Sequence, residues 1–497
     1  MPDVRYVCLS DMHLGASNSL LTYLTSDAAR VDPTKRSPVL AELVECLREI
    51  ISKNEKPERP TLVLNGDTLE LALATDNLAG MSFERFAELI LPTQDEPLFR
   101  SPIIYIPGNH DHHLWETARE AQYVNYISKG KPGLPLAVPW HATNMFRAEP
   151  PVPSPFLEEL ICLRAPSQAA PQFPSEFLEE LIRRHDRSQA VSVHTIYPNW
   201  GLLDETGQRC VVFSHGHFTE SMYVLMSTLR SMIFPSREMP LASWDYEAEN
   251  FAWIDFFWST MGRSGDVGTD LELVYDKLGS KKQVGVLISN LASSVVNKWG
   301  KRYWPRWLQR WAVKWALGNT LGKAAARERN ETRKLLSADG WEGLEAYMKG
   351  PLREQILEER EHNMPPTVSF IYGHTHKPFQ EDRQFHGYDG WTSVYNSGGW
   401  VVDTLKACPV HGGAVILVDE DHNVVSLRMY NEAAEPEEYA VKVEAANHPG
   451  GMANPLLERV RALVDAEHDP WKEFSRTVAS ERLLRVENLK MKIQSPG

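Results

Sequence analysis

Cysteine is scarce in this chain of 497 residues: five are present (Cys8, Cys46, Cys162, Cys210 and Cys408), an odd number with no C-x-x-C spacing. That argues against a disulfide framework and a thiolate zinc site, and it points to a reducing compartment. Long apolar runs are lacking as well. The longest, about 284–296, is broken by serine and asparagine and falls short of the roughly 20 residues that span a bilayer, so an integral membrane protein is not expected. The opening Met1-Pro2-Asp3 runs directly into Arg5-Tyr6-Val7-Cys8-Leu9 with no basic stretch ahead of an apolar one. No signal peptide is expected, and the cytoplasm is the expected location, with association at the membrane periphery left open. Net positive charge is absent too. Lys+Arg number 52 against 66 Asp+Glu, a formal charge of -14, which excludes wholesale attraction to nucleic acid or anionic lipid unless basic residues gather locally.

What is there describes a globular protein with ample core material, 42% hydrophobic and 24% charged. Short apolar runs bounded by turn residues occur at Val4–Leu9, Thr61–Leu64, Ile103–Ile106, Val211–Phe213 and Val368–Tyr372, and each reads as a buried strand. Between the first two, Leu40, Leu43, Val44, Leu47, Ile50 and Ile51 follow helical spacing, so the region has a strand, helix, strand rhythm and an α/β fold is expected. The core is expected over 1–220 and 365–430. A proline-rich excursion over 132–186 carries a short duplication, Phe156-Leu-Glu-Glu-Leu-Ile and Phe177-Leu-Glu-Glu-Leu-Ile, that predicts two amphipathic helical turns. Residues 221–364 are expected to leave the core as an inserted helical cap, and 431–497 to form a helical tail.

Five polar clusters follow the five strands: Asp11-Met12-His13, Gly66-Asp67-Thr68-Leu69-Glu70, Gly108-Asn109-His110-Asp111, His215-Gly216-His217 and Gly373-His374-Thr375-His376. Each supplies carboxylate, amide or imidazole groups that bind divalent metals, and in D-x-H or H-x-H on extended backbone the two side chains project to one side. A single such tetrapeptide is more often a turn than a ligand set; five in series, all past strands, reverse those odds. His112 and His113 extend the third cluster and read as exposed helix-start residues.

With these residues in place the chain resembles the calcineurin-like metallophosphoesterase family, whose pattern is D-x-H, then G-D, then G-N-H-[DE], then a histidine, then G-H-x-H. The resemblance covers 1 to about 218 and 366 to about 430. It implies a β-sandwich flanked by helices, with a binuclear centre at the strand ends and the large insertion as a cap. Carried over by position, Asp11, His13 and His376 hold one ion, Asn109, His215 and His374 the other, and Asp67 bridges them. His215 is favoured over His217 because it directly follows the strand. His110 then faces substrate as the catalytic histidine, with Asp111 as a residue that orients it or caps a helix. Two ions about 3.5 to 4 Å apart require a shared carboxylate and a shared hydroxide, and attack by that bridging hydroxide on phosphorus is the expected chemistry. A donor set of oxygen and imidazole without thiolate suits manganese first, with iron, zinc or cobalt as alternatives.

Gly373-His-Thr-His-Lys-Pro378, His215-Gly216 and Tyr395-Asn-Ser-Gly-Gly-Trp-Val401 are similar to the branch containing bacterial UDP-2,3-diacylglucosamine pyrophosphatases. The chain departs from that branch at His110, where arginine is usual, and in its greater length. The implied substrate is therefore a phosphodiester or pyrophosphate, lipid-linked or nucleotide. Residues 298–334 hold eleven basic and two acidic residues, a local balance of +9, with Trp304, Trp307, Leu308, Trp311 and Trp315 on one helical face and Arg302, Arg306, Arg310 and Lys314 on the other. Docking onto the core, contact with a membrane surface and a nucleic-acid groove are its three readings, in that order. The rivals to a phosphoesterase are a nuclease with the same centre and a metal-containing scaffold without turnover.

Overall fold

In a computed structural model of the chain, residues 2–146, 173–185, 191–234, 236, 239–260, 305, 334–446 and 453–494 are described. The chain opens with β1 (Val4–Leu9), a short ribbon of β2 (Thr22–Leu24) and β3 (Val31–Arg36), then α1 (Pro38–Ser52), β4 (Thr61–Asn65), α2 (Asp76–Ile90), β5 (Arg100–Ile106) and α3 (His113–Lys129). Next come α4 (Glu176–His185), β6 (Val193–Thr195), β7 (Asn199–Leu203) and β8 (Arg209–Ser214). Among the described residues the insertion is helical: α5 (Leu225–Ile233), α6 (Ser243–Ile254), α7 (Ala338–Tyr347) and α8 (Arg353–Glu359). The chain re-enters the sheets with β9 (Thr367–Tyr372), β10 (Phe379–Gln384), β11 (Trp391–Asn396), β12 (Gly412–Asp419), β13 (Val424–Asn431) and β14 (Lys442–Glu444), and ends in α9 (Pro455–Leu463) and α10 (Trp471–Gln494).

Two sheets result, one of seven strands in the order β14-β13-β12-β1-β4-β5-β6 and one of five in the order β10-β11-β9-β8-β7. Alternation along each strand sorts its side chains between two layers. In β1, Val7 and Leu9 face α1, while Cys8 faces the other sheet; in β12, Val415 and Leu417 face outward to helices and Ala414, Ile416 and Val418 inward. In β8, Cys210 and Val212 turn to the cap, while Val211 and Phe213 meet Cys8, Val63 and Ile104 between the sheets. The result is a β-sandwich with α1, α2, α4, α9 and α10 on one side and the cap on the other. Strands buried on both faces read as unbroken apolar runs, which is why the five strand segments are legible in the sequence.

β1, β4 and β5 run parallel in one sheet, as do β8 and β9 in the other. Their C-terminal ends therefore emerge along one edge of the sandwich, and the five polar clusters sit there. The first copy of the duplicated hexapeptide and the basic segment 298–334, apart from Pro305 and Lys334, lie outside the described residues; the second copy forms α4.

Candidate metal centre

The loops past the strands are bound to one another before any side chain is considered. Asp11 N donates to Gly66 O at 2.9 Å, and His13 N to Asp67 O at 2.8 Å. His374 N donates to Asp11 Oδ1 at 2.9 Å, and His110 N to Asp67 Oδ1 at 2.8 Å. Asp11, His13, Asp67, His374 and His376 all hold left-handed backbone, with φ of 49°, 46°, 47°, 70° and 58°. Each such residue costs about 1 kcal/mol or more, and a cluster of them persists only where the surrounding structure over-determines it. Gly373 belongs to the same crowding: a Cβ there would lie 2.0 Å from Asp11 Oδ2.

Among the described residues four buried groups of donor atoms could hold a cation, those of His13, Glu70 and His110 and of His112, Glu116 and Glu247 besides the two expected ones. Asp11, His13 and His376 each offer an atom to one buried set, and Asp67, His215 and His374 to another. Asn109 Oδ1 lies 3.0 Å from His215 Nε2. The two sets touch at one atom: Asp67 Oδ2 is 3.7 Å from His13 Nε2 and 3.3 Å from His215 Nε2. His217 stands apart. Its ring is buried beside His215, but its Nε2 pairs with the Tyr197 hydroxyl at 3.0 Å.

Behind the donors stand two carboxylates whose role is not readable from spacing. Glu70 takes His13 Nδ1 on one oxygen and His110 Nδ1 on the other, both at 2.8 Å. Asp403 takes His376 Nδ1 at 2.7 Å. Burial alone would raise the Glu70 carboxyl, but His110 and His13 outweigh it and hold it well below its ordinary range. An ionised Glu70 must accept from both rings at Nδ1, which turns the Nε2 of each toward the site.

The partner on His110 Nδ1 is thus Glu70 and not Asp111. The Asp111 carboxylate accepts instead from four backbone amides, those of Gly108, Asp67, Thr68 and Leu69, at 2.7 to 3.3 Å. It ties the second cluster's loop to the third. His112 and His113 also differ from the expectation of exposed helix-start residues: His112 is fully buried against Glu247, and His113 is partly covered by Asp255, because the cap closes over the start of α3.

The donor set itself asks for cations. His13 Nε2 and His376 Nε2 face each other at 3.2 Å while both Nδ1 atoms are committed to carboxylates. Two lone pairs do not hold that separation unless a proton or a metal lies between them. His374 Nε2 is buried without a hydrogen-bond partner, as is His110 Nε2. In the cation-free state burial opposes charge on His13 and His215, yet the carboxylates, Glu70 and Asp67 on His13 and Asp67 on His215, push each ring up to about 9. The Asp67 carboxyl is held well below its usual range: burial raises it, and His215, His110 and His13 more than reverse that.

A sandwich with buried oxygen and imidazole donors gathered at its strand ends has the make-up of a divalent-metal site. The particular family follows from comparison: the family model for calcineurin-like phosphoesterases matches residues 4–224, a span holding the first four clusters. The chain thus carries a calcineurin-like phosphoesterase unit, with the fifth cluster supplied by β9 beyond the matched span. No curated protein matches the chain.

Proposed function

We propose that the site takes two divalent cations bridged by Asp67 and hydrolyses a phosphodiester or pyrophosphate bond. The observation that carries this reading is the position of Asp67 Oδ2, one oxygen within 3.7 Å of a donor in each set. Asp11, His13 and His376 would hold one ion and Asn109, His215 and His374 the other. Manganese is the first choice for such donors, with iron, zinc or cobalt as alternatives. When bound, the pair supplies the Lewis acidity that generates a nucleophile from water and offsets charge on the phosphoryl oxygens.

The chain's own residues do the rest. Glu70 and Asp403 fix the rings of His13 and His376 with Nε2 turned to the site, and carboxylate partners raise the basicity of those ligands. His110 holds a proton on Nδ1 against Glu70, and its unpartnered Nε2 is the atom that meets substrate. As a donor at that atom, His110 would stabilise the leaving oxygen as the ester bond breaks. Asp111 keeps the two loops in register so that His110 N reaches Asp67.

Among the described residues, the one cue to an apolar group on the substrate is a cavity of about 370 Å³ at Leu71, His113, Leu114, Ala118, Pro174 and Phe177, which Asp76, Glu176 and Glu180 also line. Chelated protein should lose hydrolysis of an aryl phosphodiester and regain it with Mn²⁺, and an active Asp67→Ala protein would overturn the assignment. A panel of phosphomonoesters, nucleotides, nucleic acids and lipid pyrophosphates then identifies the class. Steeply salt-dependent cleavage of nucleic acid would make the protein a nuclease instead.

A further inference from the structure

We propose that Glu247, contributed by the inserted cap, is a positioning residue of the metal centre. Helix α6 buries Ser243, Tyr246, Glu247, Asn250 and Ile254 along one face. The apolar members and Asn250, which bonds Ser227 and the Met226 amide, suffice to dock that helix. Glu247 does something else. It is 0% exposed, and an ion buried to that degree costs several kcal/mol unless its partners are well placed.

One of those partners extends a cluster loop, and the other, between β6 and β7, leads to a second one. Glu247 Oε1 accepts from His112 Nε2 at 2.9 Å, and His112 is three residues past Asn109. Glu247 Oε2 accepts from the Tyr197 hydroxyl at 2.8 Å. Because that hydroxyl spends its proton on the carboxylate, its oxygen must accept from His217 Nε2 at 3.0 Å, which fixes the His217 tautomer. His217 is joined to His215 through Gly216 alone, at φ 101°, where a Cβ would lie 2.6 Å from the Tyr372 ring. The two histidines thus share one tight turn, and it is through this turn that the hold on the His217 ring would bear on His215. One carboxylate therefore sets the loop of Asn109 from one side and the loop of His215 from the other, the two residues whose donor atoms stand 3.0 Å apart.

Accordingly, the cap completes the site that it covers. A Glu247→Gln substitution keeps the shape but replaces one acceptor oxygen with a donor, so either His112 or Tyr197 loses its partner. A residue that acts on a site through intermediate side chains changes it by about 2- to 30-fold. The inference rests on the phosphoesterase reading for its kinetics only. The deciding experiment is calorimetric titration of the chelated full-length protein with Mn²⁺, alongside steady-state kinetics on an aryl phosphodiester. Glu247→Gln should weaken manganese binding by about 3-fold or more and lower kcat with KM within about 2-fold. Glu249→Gln, on the same helix but paired outward with Arg230, should match wild type in both. Tyr197→Phe should weaken binding in the same direction, and the double variant should be no weaker than Glu247→Gln, since both break one relay. If Glu247→Gln does not fold, Tyr197→Phe decides alone. Unchanged isotherms, or additive losses in the double variant, overturn the inference. A wild type that binds manganese normally and hydrolyses nothing would sink the phosphoesterase reading and leave the positioning of the metal ligands to be judged on the titration.

Discussion

Helix α10 on the face of the seven-stranded sheet and helix α6 on the opposite face both bury ionisable side chains, and the contrast between them separates structural burial from functional burial. Arg485 of α10 is 0% exposed and donates to the carbonyls of Ser19 and Thr22, while Arg482 pairs with the buried Glu432 and Asn488 donates to Ala28 O. All of these fasten the last helix to the loop behind β1 and to the end of β13. Glu247 of α6 is as deeply buried, but its partners are His112, which extends the loop of Asn109, and Tyr197, which leads through His217 to the loop of His215. Burial of charge alone does not mark a site; the neighbours of the partners do.

The largest effect that would sharpen this contrast is on the structural side. Arg485→Ala removes a buried cation that binds two carbonyls and Glu481, and it should cost about 3 kcal/mol of stability, read as a lowered denaturation midpoint. Its manganese-loaded kcat should stay within about 2-fold of wild type. A large kcat loss in a folded Arg485→Ala protein would erase the distinction drawn between the two helices.

Glu70→Gln should do the reverse. An amide cannot accept from both His13 Nδ1 and His110 Nδ1, so one ring loses its partner and kcat should drop about 10- to 100-fold, with a smaller stability change than Arg485→Ala. A smaller effect is expected for Asp403→Asn, because the amide oxygen still accepts from His376 Nδ1; manganese affinity should weaken by no more than about 10-fold. If Asp403→Asn proved the more damaging of the two, the position of Glu70 behind both His13, the proposed ligand, and His110, proposed to face substrate, would carry no special weight.

The strands and the five clusters were legible because each strand is buried on both faces and each cluster follows one. The α/β class and the family resemblance rest on that regularity. Glu70 was visible inside its cluster, yet nothing in its spacing says that it reaches two rings from different loops. Asp403 carries no local signal, being placed only when Trp400 N bonds Asp11 O and lays the segment beside His376. Glu247 sits in Ser243-Trp-Asp-Tyr-Glu-Ala-Glu-Asn250, a helix mixing several acids, where only the fold tells the fully buried Glu247 from Glu249, which is partly exposed and pairs with Arg230. The reading of His112 as exposed fails for the same reason, since a cap more than a hundred residues away in sequence covers it.

The subtlest effect is on pH dependence, and it follows from the carboxylates that surround the rings. Without cations, His13 and His215 are pushed up to about 9 from an ordinary 6.5, so their protons stabilise the folded state fully below about pH 6.5 and progressively less as pH rises through 9. The chelated protein should therefore lose thermal stability between pH 6.5 and 9. His376 is shifted the other way, burial keeping its ring neutral, so it offers its lone pair without releasing a proton. Cations must displace the protons on the other two rings, so manganese should bind more tightly as pH rises over the same window, by up to about 10-fold per unit for each proton released. The rise in Tm on adding manganese should be larger at pH 8.5 than at pH 6.5. In Glu70→Gln the carboxylate that raises His13 is gone, so that gap should narrow; a gap that stays as wide would mean that the protons on these rings do not compete with the metal.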